Sequence, residues 1–225
     1  MGITGRLNIK SFCFNAFQEN CYVLSDGGGS CVIVDPGCYT PSEVQSVREY
    51  ISGKGLSPAA IWLTHAHFDH IFGVAGLREE YGIPVRLSPL DKITLGSNND
   101  LTMSFGLRRP EMSFSFEELI DGQEVEFGFK VIATPGHTPG CVCFLSEEAK
   151  ILFSGDTLFA GSIGRTDVEG GDYDKELSSI LERLMTLPGD VDVFPGHGPA
   201  TSIAEERTGN PFLRPWDGPW DVETD

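Results

Sequence analysis

Thr64-His65-Ala66-His67-Phe68-Asp69-His70 places four candidate metal ligands within six residues, directly after the apolar run Ala60-Ile61-Trp62-Leu63. A strand that ends in such a cluster aims several imidazoles and a carboxylate into one cleft. Neutral imidazole suits zinc, iron, manganese or nickel, and the carboxylate lowers the net charge of the site. The plain alternative is a polar turn with chance histidines. The inventory argues against it, because three of the chain's five histidines sit here. The other two lie in Thr134-Pro135-Gly136-His137-Thr138-Pro139-Gly140 and in Phe194-Pro195-Gly196-His197-Gly198-Pro199. Histidine confined to turns of this kind points to chemistry rather than packing.

Outward from the cluster, the pattern is of short strands and amphipathic helices. Residues 7–14 and 21–24 read as strands, and Asp26-Gly27-Gly28-Gly29-Ser30 signals a hairpin into a third strand at 31–34. That strand ends in Asp35-Pro36-Gly37, which holds Asp35 at a strand terminus. Asp35 reads equally as a turn-stabilising residue and as a carboxylate that orients a metal-binding histidine. Thr40-Pro41-Ser42-Glu43 carries an N-cap, a first-turn proline and a capping box, and Val44, Val47 and Ile51 continue it as a helix.

A strand at 60–64 delivers the histidines, a helix is predicted over 70–81 with Gly82 as its stop, and 85–87 is a short strand. Residues 91–118 predict a helix and a long loop, either lining a binding site or forming a surface insertion with its own small core. Further strands are predicted at 124–127, 129–133, 141–145 and 150–153, an amphipathic helix at 177–187, and a last strand at 191–194 leading to His197. From about residue 205 the chain reads as a proline-rich tail without regular structure, with Trp216 and Trp220 pinning it to the body.

The 225 residues suffice for one domain, 1–225, with a substantial core. A formal charge of −17 argues against nucleic acid as a partner, since backbone binding needs Lys and Arg to displace counterions. No apolar run approaches a membrane span, and no secretory-type run opens the chain, so a cytoplasmic protein with a small-molecule substrate is expected. The six cysteines show no metal-type spacing and are read as reduced thiols, mostly buried. Oligomeric state is not legible.

Every candidate ligand follows a strand: His65, His67, Asp69 and His70, then His137, then Asp156 after Ser154-Gly155, then His197. Seven candidates exceed what one tetrahedral ion takes and suit two ions sharing a carboxylate and a water. His-x-His-x-Asp-His, Thr-Pro-Gly-His-Thr-Pro-Gly, Ser-Gly-Asp-Thr-Leu and Pro-Gly-His-Gly together resemble the signature series of the metallo-β-lactamase-fold hydrolases, in order and spacing, from Asp35 to His197. The run from Phe159 to Asp167 is similar to the glyoxalase II branch, the hydroxyacylglutathione hydrolases, and their short bacterial relatives.

That resemblance implies an α+β fold, a four-layered αββα sandwich. It implies that His65, His67 and His137 hold a first divalent ion and that Asp69, His70 and His197 hold a second. Asp156 would bridge them, and Asp35 would orient a ligand. Zinc is the expected metal, with iron and manganese as alternatives. Asp69 and Asp156 are the expected catalytic carboxylates, and Tyr173 is a guess at a substrate contact. Arg165 and Asp167 are expected to pair within their loop.

The implied reaction is hydrolysis of small acyl-thioesters of the S-lactoylglutathione kind by a metal-bridging hydroxide. The alternative is a persulfide dioxygenase using a single non-haem iron. In glyoxalase II a helical domain follows the last histidine motif and grips glutathione, whereas 28 residues follow His197 here. A broad substrate range with a high KM for S-lactoylglutathione is therefore expected. β-Lactamase activity is not expected, because that group commonly presents cysteine at a second-metal position where this chain has aspartate. Nuclease activity, known in the same fold, conflicts with the charge. The presence of all seven ligands argues for an enzyme over a non-catalytic metal-binding module.

Overall fold

Strands buried on both faces dictate a layered architecture. The computed structural model describes residues 7–112 and 114–214. The first half contains β1 (Asn8–Phe14), β2 (Glu19–Ser25), β3 (Ser30–Val34), α1 (Pro41–Gly53), β4 (Ser57–Trp62), α2 (Phe68–Ile71), α3 (Val74–Tyr81), β5 (Val85–Leu87), α4 (Lys92–Ser104) and β6 (Glu117–Glu118). Its strands form one sheet in the order β1-β2-β3-β4-β5-β6, antiparallel up to β3 and parallel from there on.

The second half contains β7 (Lys130–Ala133), β8 (Val142–Ser146), β9 (Ile151–Gly155), a small ribbon of β10 (Leu158–Phe159) and β11 (Ser162–Ile163), α5 (Tyr173–Ser179), β12 (Asp192–Pro195), β13 (Thr201–Ser202) and α6 (Ile203–Gly209). Its main sheet runs β13-β12-β9-β8-β7, and only the β12–β9 pair is parallel.

Period-two alternation sorts the side chains into three cores. Val32, Val34, Ala60 and Trp62 meet Val131, Phe144 and Phe153 between the sheets. On the outer face of the first sheet, Ile33, Ile61 and Val85 pack on Val47 and Ile51 of α1 and Val74 and Leu77 of α3. On the outer face of the second, Cys143, Leu145, Leu152 and Val193 pack on Ile180, Leu184 and Ile203. The layers are α, β, β, α, as the motif series implied.

Four local expectations are corrected. The helix expected over 70–81 is broken at Phe72-Gly73 into α2 and α3. Gly73 is pressed against Cys38, and its N–H donates to Pro36 O (2.8 Å), so the chain docks on the Asp35 loop there instead of coiling on. Residues 124–127 are not a strand. One bridge, Glu124 to Lys130, precedes a 3₁₀ turn at Glu126–Gly128 in which Phe127 takes φ +60°. The helix expected over 177–187 starts earlier, capped by Asp172, and its second half is a π-type turn, Ile180–Leu184. The region read as an irregular tail includes most of α6, which Ser202 caps and whose Glu206 is buried. A local serine cap and one buried apolar residue, Ile203, outweigh the prolines that follow. Trp216 and Trp220 lie outside the described residues.

The turn at Glu126 has a structural purpose. Its carboxylate accepts from Trp62 Nε1 (2.7 Å) and from Arg86 (2.6 Å and 3.2 Å), tying the first sheet to the edge of the second. Trp62 is fully buried, so removing the acceptor orphans its N–H. Glu126→Ala is expected to cost about 2 kcal/mol, read by urea denaturation at neutral pH. Burial would raise the Glu126 carboxyl, but the Arg86 and Trp62 bonds more than offset it and hold it below 4.5. With the folded value below the unfolded one, the stabilisation is complete above about pH 4.5 and is lost as pH falls through the folded value. The gap between wild type and Glu126→Gln should therefore narrow on acidification. A gap independent of pH would refute the assignment.

Candidate metal centre

The site lies where strands of both sheets end. The His65–His67 loop follows β4, Asp69 and His70 ride on α2, His137 follows β7, Asp156 follows β9, and His197 follows β12. Two glycines allow this crowding. Gly155 takes φ +49° and a Cβ there would collide with the Thr64 side chain, while a Cβ on Gly196 would overlap Asp156 Oδ1.

The side chains converge. Ligand atoms of His65, His67 and His137 lie within 4.8 Å of one another, as do those of His65, His70 and Asp156 and those of Asp69, His70 and His197. Asp156 reaches all sides: Oδ2 is 3.5 Å from His137 Nε2, 3.5 Å from His197 Nε2 and 4.0 Å from His65 Nε2, and Oδ1 is 3.4 Å from His70 Nε2. The structure thus gathers all seven sequence-predicted ligands in one place.

Three of the five imidazoles are pinned by a hydrogen bond through the nitrogen that points away from the centre, and a fourth, His70, faces a carboxylate there. His137 Nδ1 lies 2.7 Å from Arg165 O and His197 Nδ1 3.0 Å from Phe17 O, so each must donate there and turn Nε2 toward the centre. Asp35 accepts from Thr64 N (2.8 Å) and Thr64 Oγ1 (2.6 Å), and its Oδ2 also faces His70 Nδ1 at 3.2 Å. With its proton committed to Asp35, the Thr64 hydroxyl can only accept from His65 Nδ1, 3.1 Å away. Of the two readings of Asp35, the geometry therefore adds orientation of His70 directly and of His65 through Thr64. His67 turns Nδ1 to within 2.8 Å of His137 Nε2, so two nitrogens converge on one point.

Protonation follows from burial and charge. Burial, with His70 beside it, drives His65 far below the usual histidine range, and burial with His137 takes His67 to about 3. Both are therefore neutral and able to ligate. Burial also works against charged His70 and His197, but Asp156 and its neighbour Asp69 outweigh it and raise both, His197 to about 10. Burial would raise Asp156 and Asp69. For each carboxyl the histidines, His70 foremost, more than offset it and hold it low. The two buried carboxylates thus draw positive charge to the centre, from protons on His70 and His197 or from divalent cations. Buried His65 Nε2 and Asp156 Oδ1 have no hydrogen-bond partner. The donor set, imidazole nitrogen plus carboxylate oxygen, fits divalent metal ions.

Three supporting residues carry no signature in the sequence. Fully buried Asp91 accepts from Ala66 N (2.6 Å) and Gly140 N (2.8 Å), joining the His65–His67 loop to the loop after His137. Asn98 donates to Ala66 O (2.7 Å). Glu176, buried in α5, accepts from His137 N (2.8 Å), and burial pushes its carboxyl to about 8. Arg165 pairs with Asp167 in a two-pronged bond (2.8 and 3.0 Å), as the loop reading expects. A cavity of about 570 Å³ opens over His67, Asp69, His137, Asp156 and His197, walled in part by Leu101, Ser104 and Phe105. The 91–118 segment therefore both lines the site and supports its floor. Tyr173 is not among the lining residues. It stands at the start of α5, 49% exposed.

Residues 14–197 match the family model of the metallo-beta-lactamase superfamily. The chain belongs to that superfamily. A probable metallo-hydrolase, YqgX, from Bacillus subtilis is 42% identical, with 87% of this chain and 92% of the relative covered. The hydroxyacylglutathione hydrolase GloC of Haemophilus influenzae is 35% identical over 92% of this chain and 98% of its own. Among solved structures, TTHA1623 in a di-iron-bound form is 40% identical with a TM-score of 0.82, covering 91% of this chain and 100% of that one. BLEG-1, described as a B3 metallo-beta-lactamase, is 36% identical with a TM-score of 0.82, covering 92% and 99%. ETHE1 from Myxococcus xanthus is 28% identical with a TM-score of 0.74, covering 91% and 83%. The chain is thus a hydrolase of the metallo-beta-lactamase superfamily whose histidine–aspartate groups suit divalent metals. No helix among the described residues is long and apolar enough to cross a membrane.

Proposed function

We propose that this chain is a binuclear metal-dependent thioesterase acting on small acyl-thioesters of the S-lactoylglutathione kind. The observation that carries the reading is the position of Asp156, within 4.0 Å of ligand nitrogens from both histidine groups. His65, His67 and His137 would hold one ion, Asp69, His70 and His197 the other, and Asp156 would touch both. Zinc suits this donor set best, with iron or manganese the alternatives. When bound, the ions supply Lewis acidity, making water a nucleophile near neutral pH and polarising the acyl oxygen.

The chain's own residues do the rest. Asp69, at the cavity floor with Oδ2 3.4 Å from His197 Nε2, orients the attacking water and takes its proton. Phe17 and Phe68, their rings 5.1 Å apart, give the same cavity an apolar wall beside that floor. Water adds its oxygen to the acyl carbon, the carbon–sulfur bond breaks, Asp69 returns the proton to the departing thiolate sulfur, and the thiol and the carboxylic acid leave through the cavity mouth. The name of the Haemophilus relative supports this choice among hydrolases. The six free cysteines, five of them buried, support a reducing compartment, the cytoplasm. The charge of −17 supports a small-molecule substrate over nucleic acid.

Metal analysis of purified protein alongside S-lactoylglutathione hydrolysis tests the proposal. Two ions per chain and thiol release, with weak saturation, are expected. One tightly held iron, no thioester turnover and oxygen uptake with glutathione persulfide would favour the dioxygenase reading, which the likeness to ETHE1 keeps in play. Cleavage of a chromogenic cephalosporin in place of thioesters would transfer the function to that of BLEG-1.

A further inference from the structure

The cavity above the ligands has one chemical character on its walls and another at its rim. Phe17, from the β1–β2 turn, stacks edge-on against Phe68 (centroids 5.1 Å apart) and Phe105 (5.3 Å), and the last two rings lie 5.9 Å from each other. Phe105 is nevertheless 55% exposed, so part of this aromatic wall is open to whatever enters. Phe159 and Ile163 extend the apolar lining on the other side. Arg165 is the sole lysine or arginine among the described lining residues and is bonded to Asp167, and Glu169 adds a second carboxylate to the lining. The rim is thus net negative on a chain of charge −17.

Away from the floor where the ions would sit, such walls reward apolar area and such a rim disfavours an anionic carrier. Glutathione is a net anion and coenzyme A brings phosphates, and among the described lining residues no lysine or arginine other than the Asp167-bonded Arg165 waits for either. Resting on the thioesterase reading above, we infer that the preferred substrates are thioesters with an aromatic or branched apolar acyl group, seated against Phe17 and Phe105, on an uncharged thiol carrier.

The test compares kcat/KM of the metal-loaded protein on three compounds: the acetyl and phenylacetyl thioesters of N-acetylcysteamine, and the phenylacetyl thioester of glutathione. Phenylacetyl is expected to exceed acetyl by about tenfold, mainly through KM. The neutral carrier is expected to exceed glutathione by about threefold or more at low salt, with the difference shrinking as salt is added. Phe105→Ala should pull the phenylacetyl-to-acetyl ratio toward one, and Asp167→Asn should raise the glutathione-to-neutral ratio. Each ratio is taken within one variant, so partial misfolding cannot mimic the result. Equal rates on both acyl groups, faster turnover of the glutathione ester, or ratios unmoved by both substitutions would overturn the inference while leaving the thioesterase reading intact. Failure to hydrolyse any of the three by protein that cleaves another substrate class would remove that reading and this inference together.

Discussion

Asp156→Ala is expected to strip metal from both histidine groups and to lower turnover by about three orders of magnitude or more, the scale of several kcal/mol of lost electrostatic stabilisation. The two oxygens of this carboxylate face four imidazole nitrogens, at 3.4 to 4.0 Å, that no other single residue brings together. Removing it takes a ligand from each proposed ion and one of the two negative charges that make the buried centre attractive to cations. His137→Ala should behave differently, emptying the His65–His67 side preferentially while Asp69, His70 and His197 retain their ion. Metal per chain after dialysis, measured beside kcat, separates the cases. Two ions retained in Asp156→Ala would refute the bridging role outright.

How much of this was legible follows from where the constraints lie. The ligands could be found because each follows a strand end and few other residue types do their chemistry. His65, His67, His137, Asp156 and His197 fall in such turns, and Asp69 and His70 come directly after one, on α2. The uninterrupted apolar runs at 31–34 and 60–63 likewise announced strands with apolar neighbours on both sides. What escaped was set by distant partners. The strand expected at 124–127 reads as apolar alternation, yet Glu126 turns away to reach Trp62 and Arg86 from another sheet. The break before α3 depends on Cys38 and Pro36, more than thirty residues earlier. Glu176 looks like an ordinary exposed helix acid until α5 is seen lying against the His137 loop. Tyr173 had only its position in the chain to recommend it, and position in the chain did not carry it to the cavity.

Asp91 makes the strongest case of this kind, and its removal has the second-largest expected effect. The residue opens the stretch whose sequence says least, and its carboxylate is fully buried. One oxygen takes the N–H of Ala66, between His65 and His67, and the other takes the N–H of Gly140 and the hydroxyl of Thr94 (3.2 Å). Gly140 is packed so closely on Asp91 that a Cβ there would press on its backbone nitrogen. Asp91→Ala would leave two buried N–H groups without an acceptor, at a cost of about 3 kcal/mol in global stability. The loops bearing His65, His67 and His137 would then no longer be held in register, and affinity for the ion they are proposed to share should fall by about ten- to a hundredfold. Asp91→Asn keeps one carbonyl acceptor and the volume, so it should lie between wild type and alanine on both measures. Denaturant unfolding of the metal-free protein reads the first effect and competition against a chelating dye reads the second. A variant that loses stability but binds metal at wild-type strength would show that Asp91 braces the fold without setting the geometry of the ligands.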